Sequence, residues 1–155
     1  MQEENVLDYP RPATCERTPH RIRVVYGGET IVDTTEAWRV LETYHPPTYY
    51  VPREAVRPGV LQPNGRTSLC EWKGRANYFD ALLGDRRNAN VAWCYPNPTE
   101  HFEPIRNYLA FYDEPMDACY VDDERVRAQP GNFYGGWVTA NLVGPIKGAP
   151  GTTHW

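Results

Sequence analysis

A chain of 155 residues, 41% hydrophobic and 13% aromatic with a formal net charge of −4, is long enough for one domain that buries roughly 70% of its unfolded surface. No stretch gathers the Lys/Arg block that a phosphate backbone demands, which excludes nucleic acid as an expected partner, and no run of about 18 apolar residues is present to cross a membrane as a helix. The acidic opening from Met1 to Pro10 has no apolar run behind it, so no secretory leader is expected and the cytoplasm is the default address.

Fifteen Pro and 12 Gly are spread along the whole chain, interrupting helices repeatedly and favouring short strands joined by turns. Residues 1–19, with Pro10, Pro12 and Pro19 among polar residues, read as an extended N-terminal arm that lies on the domain or stays mobile. Residues 20–155 read as a single domain. Ile22, Val24 and Tyr26 alternate with Arg21, Arg23 and Val25; Gly27-Gly28 supplies a turn and Thr30 to Asp33 returns, which predicts a β-hairpin. Ala37 to Glu42 is ambiguous by period, with a strand favoured because Trp38, Val40 and Glu42 share one face. Thr48 to Val51 is strand-like, Pro52 to Val56 suits one helical turn, and Arg57 to Gly65 reads as a loop. Thr67 to Lys73 and Ala76 to Leu82 are expected to pair around Gly74, with Asn90 to Tyr95 as a further strand. The best helix runs from Glu100 to Leu109, with Thr99 as its cap and Phe102, Ile105, Tyr108 and Leu109 on one face. Ala118 to Val121 and Arg125 to Arg127 form a hairpin across Asp122-Asp123-Glu124. Some eight short strands and one or two short helices give a mostly-β domain of two antiparallel sheets.

Cys15, Cys70, Cys94 and Cys119 are too far apart in sequence for a CxxC pair, so free thiols are expected and neither metal nor other cofactor is assigned. Zinc held by Cys70, Cys94 and a histidine brought together by folding stays open.

Six segments in order carry a family likeness: Val24-Val25-Tyr26-Gly27-Gly28, Leu41 through Tyr50, Cys70-Glu71-Trp72-Lys73-Gly74, Trp93-Cys94-Tyr95-Pro96-Asn97-Pro98, Phe133-Tyr134-Gly135-Gly136-Trp137, and Gly144-Pro145-Ile146-Lys147-Gly148 with Pro150-Gly151-Thr152. From about Asp8 to Trp155 the chain resembles the domain-of-unknown-function family numbered four hundred and twenty-seven. The resemblance implies a β-tent fold, two antiparallel sheets meeting at an angle. Relatives in that superfamily pin the sheet tip with zinc on paired CxxC motifs, which this chain lacks. The family is sometimes labelled nucleotidyltransferase-like, yet Asp122-Asp123-Glu124 is better explained as a hairpin tip than as a magnesium site. Gly144 to Gly148 lacks the spacing of a phosphate-binding loop.

The residues themselves suggest a pocket. Glu42 to Tyr50 sets a carboxylate, an imidazole and three phenols around a rigid Pro-Pro bend. There His45 acts as acid or base near neutral pH with Glu42 orienting it, or else only hydrogen-bonds a loop carbonyl. If Glu71-Trp72-Lys73 is a strand, Glu71 and Lys73 share one face and Trp72 takes the other; facing inward, Lys73 binds a carboxylate or stabilises an enolate while Glu71 moves a proton. Facing outward, they are a surface pair worth at most about 1 kcal/mol. Tyr49, Tyr50, Trp72, Trp93, Tyr95 and Trp137 are the candidate ring walls, with core packing as the plainer alternative for each. Gly135-Gly136 leaves room beside Trp137 for a ligand or a crossing backbone. A cofactor-independent acid/base enzyme of isomerase, lyase or hydrolase type, acting on a small organic molecule through His45, Glu42, Glu71 and Lys73, is therefore expected. A non-catalytic metabolite-binding module is the alternative, and a nucleotidyltransferase ranks below both. Oligomeric state is not legible, and a homodimer stays open.

Overall fold

A computed structural model describes residues 1–131, 133–148, 150–152 and 155. The fold is mostly β, with few and short helical segments, as composition and turn spacing require. One four-stranded antiparallel sheet runs in the order Glu124–Arg125, Ala118–Val121, Ile22–Tyr26, Glu29–Thr34. Its central strand places Ile22, Val24 and Tyr26 at 0% exposure while Arg23 and Val25 stay half-buried, the period-2 pattern of a one-sided sheet. Gly27 and Gly28 both hold positive φ, 61° and 78°, which is what a two-residue turn matched to the twist of its strands needs.

The second four-stranded antiparallel sheet runs Ala110–Phe111, Arg86–Cys94, Gly74–Leu83, Leu61–Cys70. Leu61 to Gly65 therefore belongs to a strand, in place of the expected loop. Pro63 is tolerated because Leu61–Cys70 is an edge strand whose register slips between Pro63 and Thr67, an outer position that needs no ladder donor from proline. At the other end of this hairpin the strand stops at Cys70, so Glu71-Trp72-Lys73 forms the connecting turn. Thr99 holds that turn: its hydroxyl donates to the Trp72 carbonyl at 2.5 Å and its N–H to the Lys73 carbonyl at 3.1 Å.

Thr14–Arg17, Trp38–Leu41 and Thr48–Tyr50 make a three-stranded antiparallel sheet, so the ambiguous Ala37 to Glu42 segment is a strand over Trp38–Leu41, with Glu42 just beyond its end. The first nineteen residues lie on the body of the protein: Val6 and Ala13 are buried, and Arg39 grips Glu4 through two nitrogens at 2.9 and 3.0 Å, a forked geometry that fixes orientation as well as charge. Two small ladders, Arg127–Ala128 with Trp137–Val138 and Glu4–Asn5 with Leu142–Val143, tie the C-terminal quarter to the rest.

The expected helix over Glu100 to Leu109 is shorter and tighter: a 3-10 segment spans Glu100–Ile105, with Pro104 inside it and Phe102 off helical geometry. Tertiary pairing overrides the helical period here, because Leu109 and Val51 exchange two backbone hydrogen bonds of 2.8 Å and pull the chain into a β-bridge. Among the described residues no helix is long and apolar enough to cross a membrane.

Candidate functional site

Glu42, Thr43, Tyr44 and His45 form a tight turn in which the His45 N–H donates to the Glu42 carbonyl at 3.0 Å, and Tyr44 adopts a φ of 72°. Both flanks pin it. Thr43 and Tyr44 donate to the carbonyls of Pro10 and Val6, and Lys147 N–H donates to the Tyr44 carbonyl at 2.8 Å. The Pro46-Pro47 bend comes next, and the outcome is that the His45 Nε2 lies 3.4 Å from Glu42 Oε2.

Gln129, 3% exposed, sets the state of that imidazole. Its Oε1 accepts from Gly136 N–H at 3.1 Å, and its Nε2 donates to the Lys147 carbonyl at 2.8 Å and faces His45 Nδ1 at 3.0 Å. A backbone N–H only donates and a backbone carbonyl only accepts, so the amide orientation is fixed from both ends. His45 Nδ1 consequently receives a hydrogen bond, and the ring proton sits on Nε2, toward Glu42. Burial, and next the positive fields of Lys147, Lys73 and Arg11, lower the imidazole pKa from 6.5 to about 4. Burial also raises the Glu42 carboxyl, against the pull of Lys73, Arg11 and Lys147. At neutral pH His45 is thus a neutral imidazole with its Nε2–H toward Glu42.

A cavity of about 490 Å³ opens on these groups. Its polar lining includes Glu42, His45, Arg11, Lys147 and the turn residues Glu71 and Lys73, and its aromatic lining includes Tyr50, Tyr78, Trp93 and Tyr95, one packed cluster with Trp72 and Tyr112 against it. Trp93 Nε1 donates to the Tyr50 hydroxyl at 3.2 Å, Trp93 packs on Tyr112 with ring centres 4.7 Å apart, and the Ser68 and Tyr78 hydroxyls meet at 2.9 Å. Burial pushes the Tyr50, Tyr95 and Tyr112 phenols up, so they remain neutral.

Eight of the residues singled out from sequence line this one cavity: Glu42, His45, Glu71, Lys73, Tyr50, Trp72, Trp93 and Tyr95. Because Glu71-Trp72-Lys73 is a turn, all three reach the cavity and the two-faced strand alternation does not apply. Tyr49 and Trp137 do not line it. Strand alternation turns Tyr49 away from the face of Thr48 and Tyr50, and it packs instead on Trp137 in the core with ring centres 5.6 Å apart. Trp137 is closed in at 2% exposure, its Nε1 donating to the Phe111 carbonyl at 2.9 Å. The space left by Gly135-Gly136 is filled from inside the protein: a Cβ on Gly135 lands 2.1 Å from the Trp93 ring, and one on Gly136 lands 2.6 Å from Pro46.

Sequence reasoning missed Arg11, Lys147, Gln129, Tyr78 and Tyr112. Tyr78 had a usable signal, since it sits two residues from Ala76 on the inward face of its strand, and Lys147 lies inside the Gly144 to Gly148 motif. Gln129, between Ala128 and Pro130, had none. All four cysteines are free thiols; Cys94 is buried and takes a 3.5 Å contact from Arg53, while Cys70 borders the cavity. Among the described residues no three His, Cys, Asp or Glu side chains gather to hold a metal ion.

The neutral imidazole has a measurable cost. Between pH 6.5 and 4 the unfolded chain binds a proton at His45 that the folded chain refuses, so stability is full above pH 6.5 and falls as pH drops. Glu42 works in the opposite sense and returns part of this, because its raised folded value lets the native state take up a proton first. Denaturant unfolding at pH 7 and pH 5 is expected to show the wild type losing about 2 kcal/mol more than His45→Asn. Equal losses in the two proteins refute a neutral buried imidazole.

The family model described as "Domain of unknown function (DUF427)" matches residues 14–122, a span that includes the Glu42–His45 turn and the Glu71–Lys73 turn but ends before Gln129 and Lys147. No curated protein matches the chain.

Proposed function

The chain belongs to the DUF427 family, and we propose that it is a small-molecule enzyme performing acid/base chemistry with its own side chains in the cavity at the Glu42–His45 turn. The observation that carries this reading is the pairing of a half-buried carboxylate whose pKa is raised with an imidazole held as a neutral Nε2–H donor 3.4 Å away. Burial reverses the ordinary order of the two groups, the carboxyl rising above 4.5 and the imidazole falling to about 4, so that one site supplies a proton acceptor and a polarising neutral donor together. Glu42 takes a proton from a carbon next to a carbonyl. The C–H electron pair moves onto the carbonyl oxygen, which receives the His45 Nε2–H bond and the field of Lys73. Return of the proton at another carbon completes an isomerisation, and loss of a neighbouring group completes an elimination. Glu71, exposed and part of the cavity lining, exchanges protons with solvent.

The test is incubation of the purified protein with a cellular metabolite extract, followed by mass spectrometry against a heat-denatured control. At least one compound is expected to disappear in large molar excess over protein. Its rate should fall as acidification passes through the Glu42 pKa, above the ordinary 4.5, and show no inflection near 6.5, because His45 stays neutral down to about 4. A compound retained only at one equivalent per protein, with nothing consumed, establishes the binding-module alternative instead.

A further inference from the structure

The charge of the cavity is opposite to that of the molecule. The chain as a whole carries −4, yet among the described residues the cavity is lined by three cationic side chains, Arg11, Lys73 and Lys147, against two carboxylates, Glu42 and Glu71. Several cations elsewhere pair directly with a carboxylate, among them Arg21 with Asp33, Arg39 with Glu4 and Arg86 with Asp117. The three cavity cations have no Asp or Glu at salt-bridge distance among the described residues. They rest on ring faces: Arg11 over Tyr44 at 5.4 Å, Lys73 over Phe102 at 5.8 Å and Lys147 over Tyr134 at 5.5 Å. Lys147 also reaches the Trp155 main-chain oxygen, at a loose 3.4 Å. Their fields converge, since all three act on both Glu42 and His45.

We propose that the cavity takes a small planar monoanion: an aromatic or otherwise conjugated carboxylate, its ring among Trp72, Trp93 and Tyr95 and its carboxylate facing Lys73, Lys147 and Arg11. This rests on the cavity being the small-molecule site described above and adds the class of its ligand. The lining rings offer flat faces and neutral phenols, which stack on a conjugated system without repelling an attached negative charge. Lys73 and Lys147 are half-buried, so a carboxylate beside them meets charge with less screening than on the open surface. Two resident carboxylates disfavour a dianion such as a phosphate monoester, and Gly144 to Gly148 around Lys147 lacks the spacing of a phosphate-binding loop.

Naphthalene probes that differ only in charge test this: naphthoate, naphthylmethanol, naphthylmethylammonium and naphthyl phosphate, titrated into the full chain by calorimetry, with quenching of Trp72 and Trp93 fluorescence as a second readout. Naphthoate is expected to bind at least about 10-fold tighter than each of the others, about 1.4 kcal/mol. Lys147→Met and Lys73→Met should each erase most of the difference between naphthoate and naphthylmethanol. Equal or tighter binding of the neutral, cationic or phosphate probe overturns the ligand class while leaving a small-molecule site in place. Failure of all four to bind at millimolar concentration, together with no consumption in the extract assay, overturns the site itself. Extract turnover without naphthoate binding overturns only the class.

Discussion

Glu42→Gln is expected to lower the turnover of any compound consumed by the wild type by about 10²–10⁴-fold, the range a positioned general base supplies, without raising KM. Glutamine keeps the size and the polar contacts of the side chain, so the turn closed by the His45 N–H survives, but the amide oxygen does not take a proton from carbon. Removing a partly buried carboxylate beside Arg11, Lys73 and Lys147 also leaves those cations more strongly attractive to an anion. The signature is therefore a collapse in kcat with an unchanged or smaller KM, which separates loss of a base from loss of structure. A variant that turns over within tenfold of the wild type, or one whose KM rises in step with its loss of kcat, removes Glu42 from the catalytic role. His45→Asn is expected to behave differently: it removes the donor that meets the developing negative oxygen, not the proton acceptor.

Gly135→Ala is expected to lower stability sharply. The added carbon falls 2.1 Å from one atom of the Trp93 ring and 2.8 Å from the next, far inside van der Waals contact. The ring has little freedom to retreat. It is 7% exposed, its Nε1 is engaged by the Tyr50 hydroxyl, and its face packs on Tyr112. Forcing extra volume into such packing costs about 3 kcal/mol or more, and for a chain of this length that amounts to a fall in Tm on the order of 10 °C. Thermal unfolding followed by tryptophan fluorescence measures it directly. A Tm within about 2 °C of the wild type shows instead that the Trp93 wall yields, and that the cavity is softer than its packing implies.

The turn at Glu42–His45 was legible because its chemistry is local. Glu42 and His45 are three residues apart, and Pro46-Pro47 stiffens the chain just beyond them, so their meeting depends on little more than the turn itself. The same holds for the Gly27-Gly28 hairpin, where two positive-φ residues are needed and two glycines stand. Tyr50, Trp93 and Tyr95 were legible as ring walls for a weaker reason, since inward and outward faces alternate along a strand, and a one-residue error of face is what separates Tyr50 in the cavity from Tyr49 in the core. Trp137 was misplaced because aromatic size alone does not distinguish a wall from an interior; only the Phe111 carbonyl waiting for its N–H does.

Sequence by itself determined the class of fold and the composition of the site's first turn: period-2 patterning, dispersed Pro and Gly, and a carboxylate and an imidazole at close spacing act over a few residues, where local geometry dominates. Tertiary structure alone decided which protonation state those groups hold. Gln129 reaches His45 across 84 positions of chain, Arg11 and Lys147 arrive from opposite ends, and burial, which lowers the imidazole and raises the carboxyl, has no meaning until the strands have closed around them. Electrostatic energy depends on distance and on the exclusion of water, and neither quantity is written in the order of the residues.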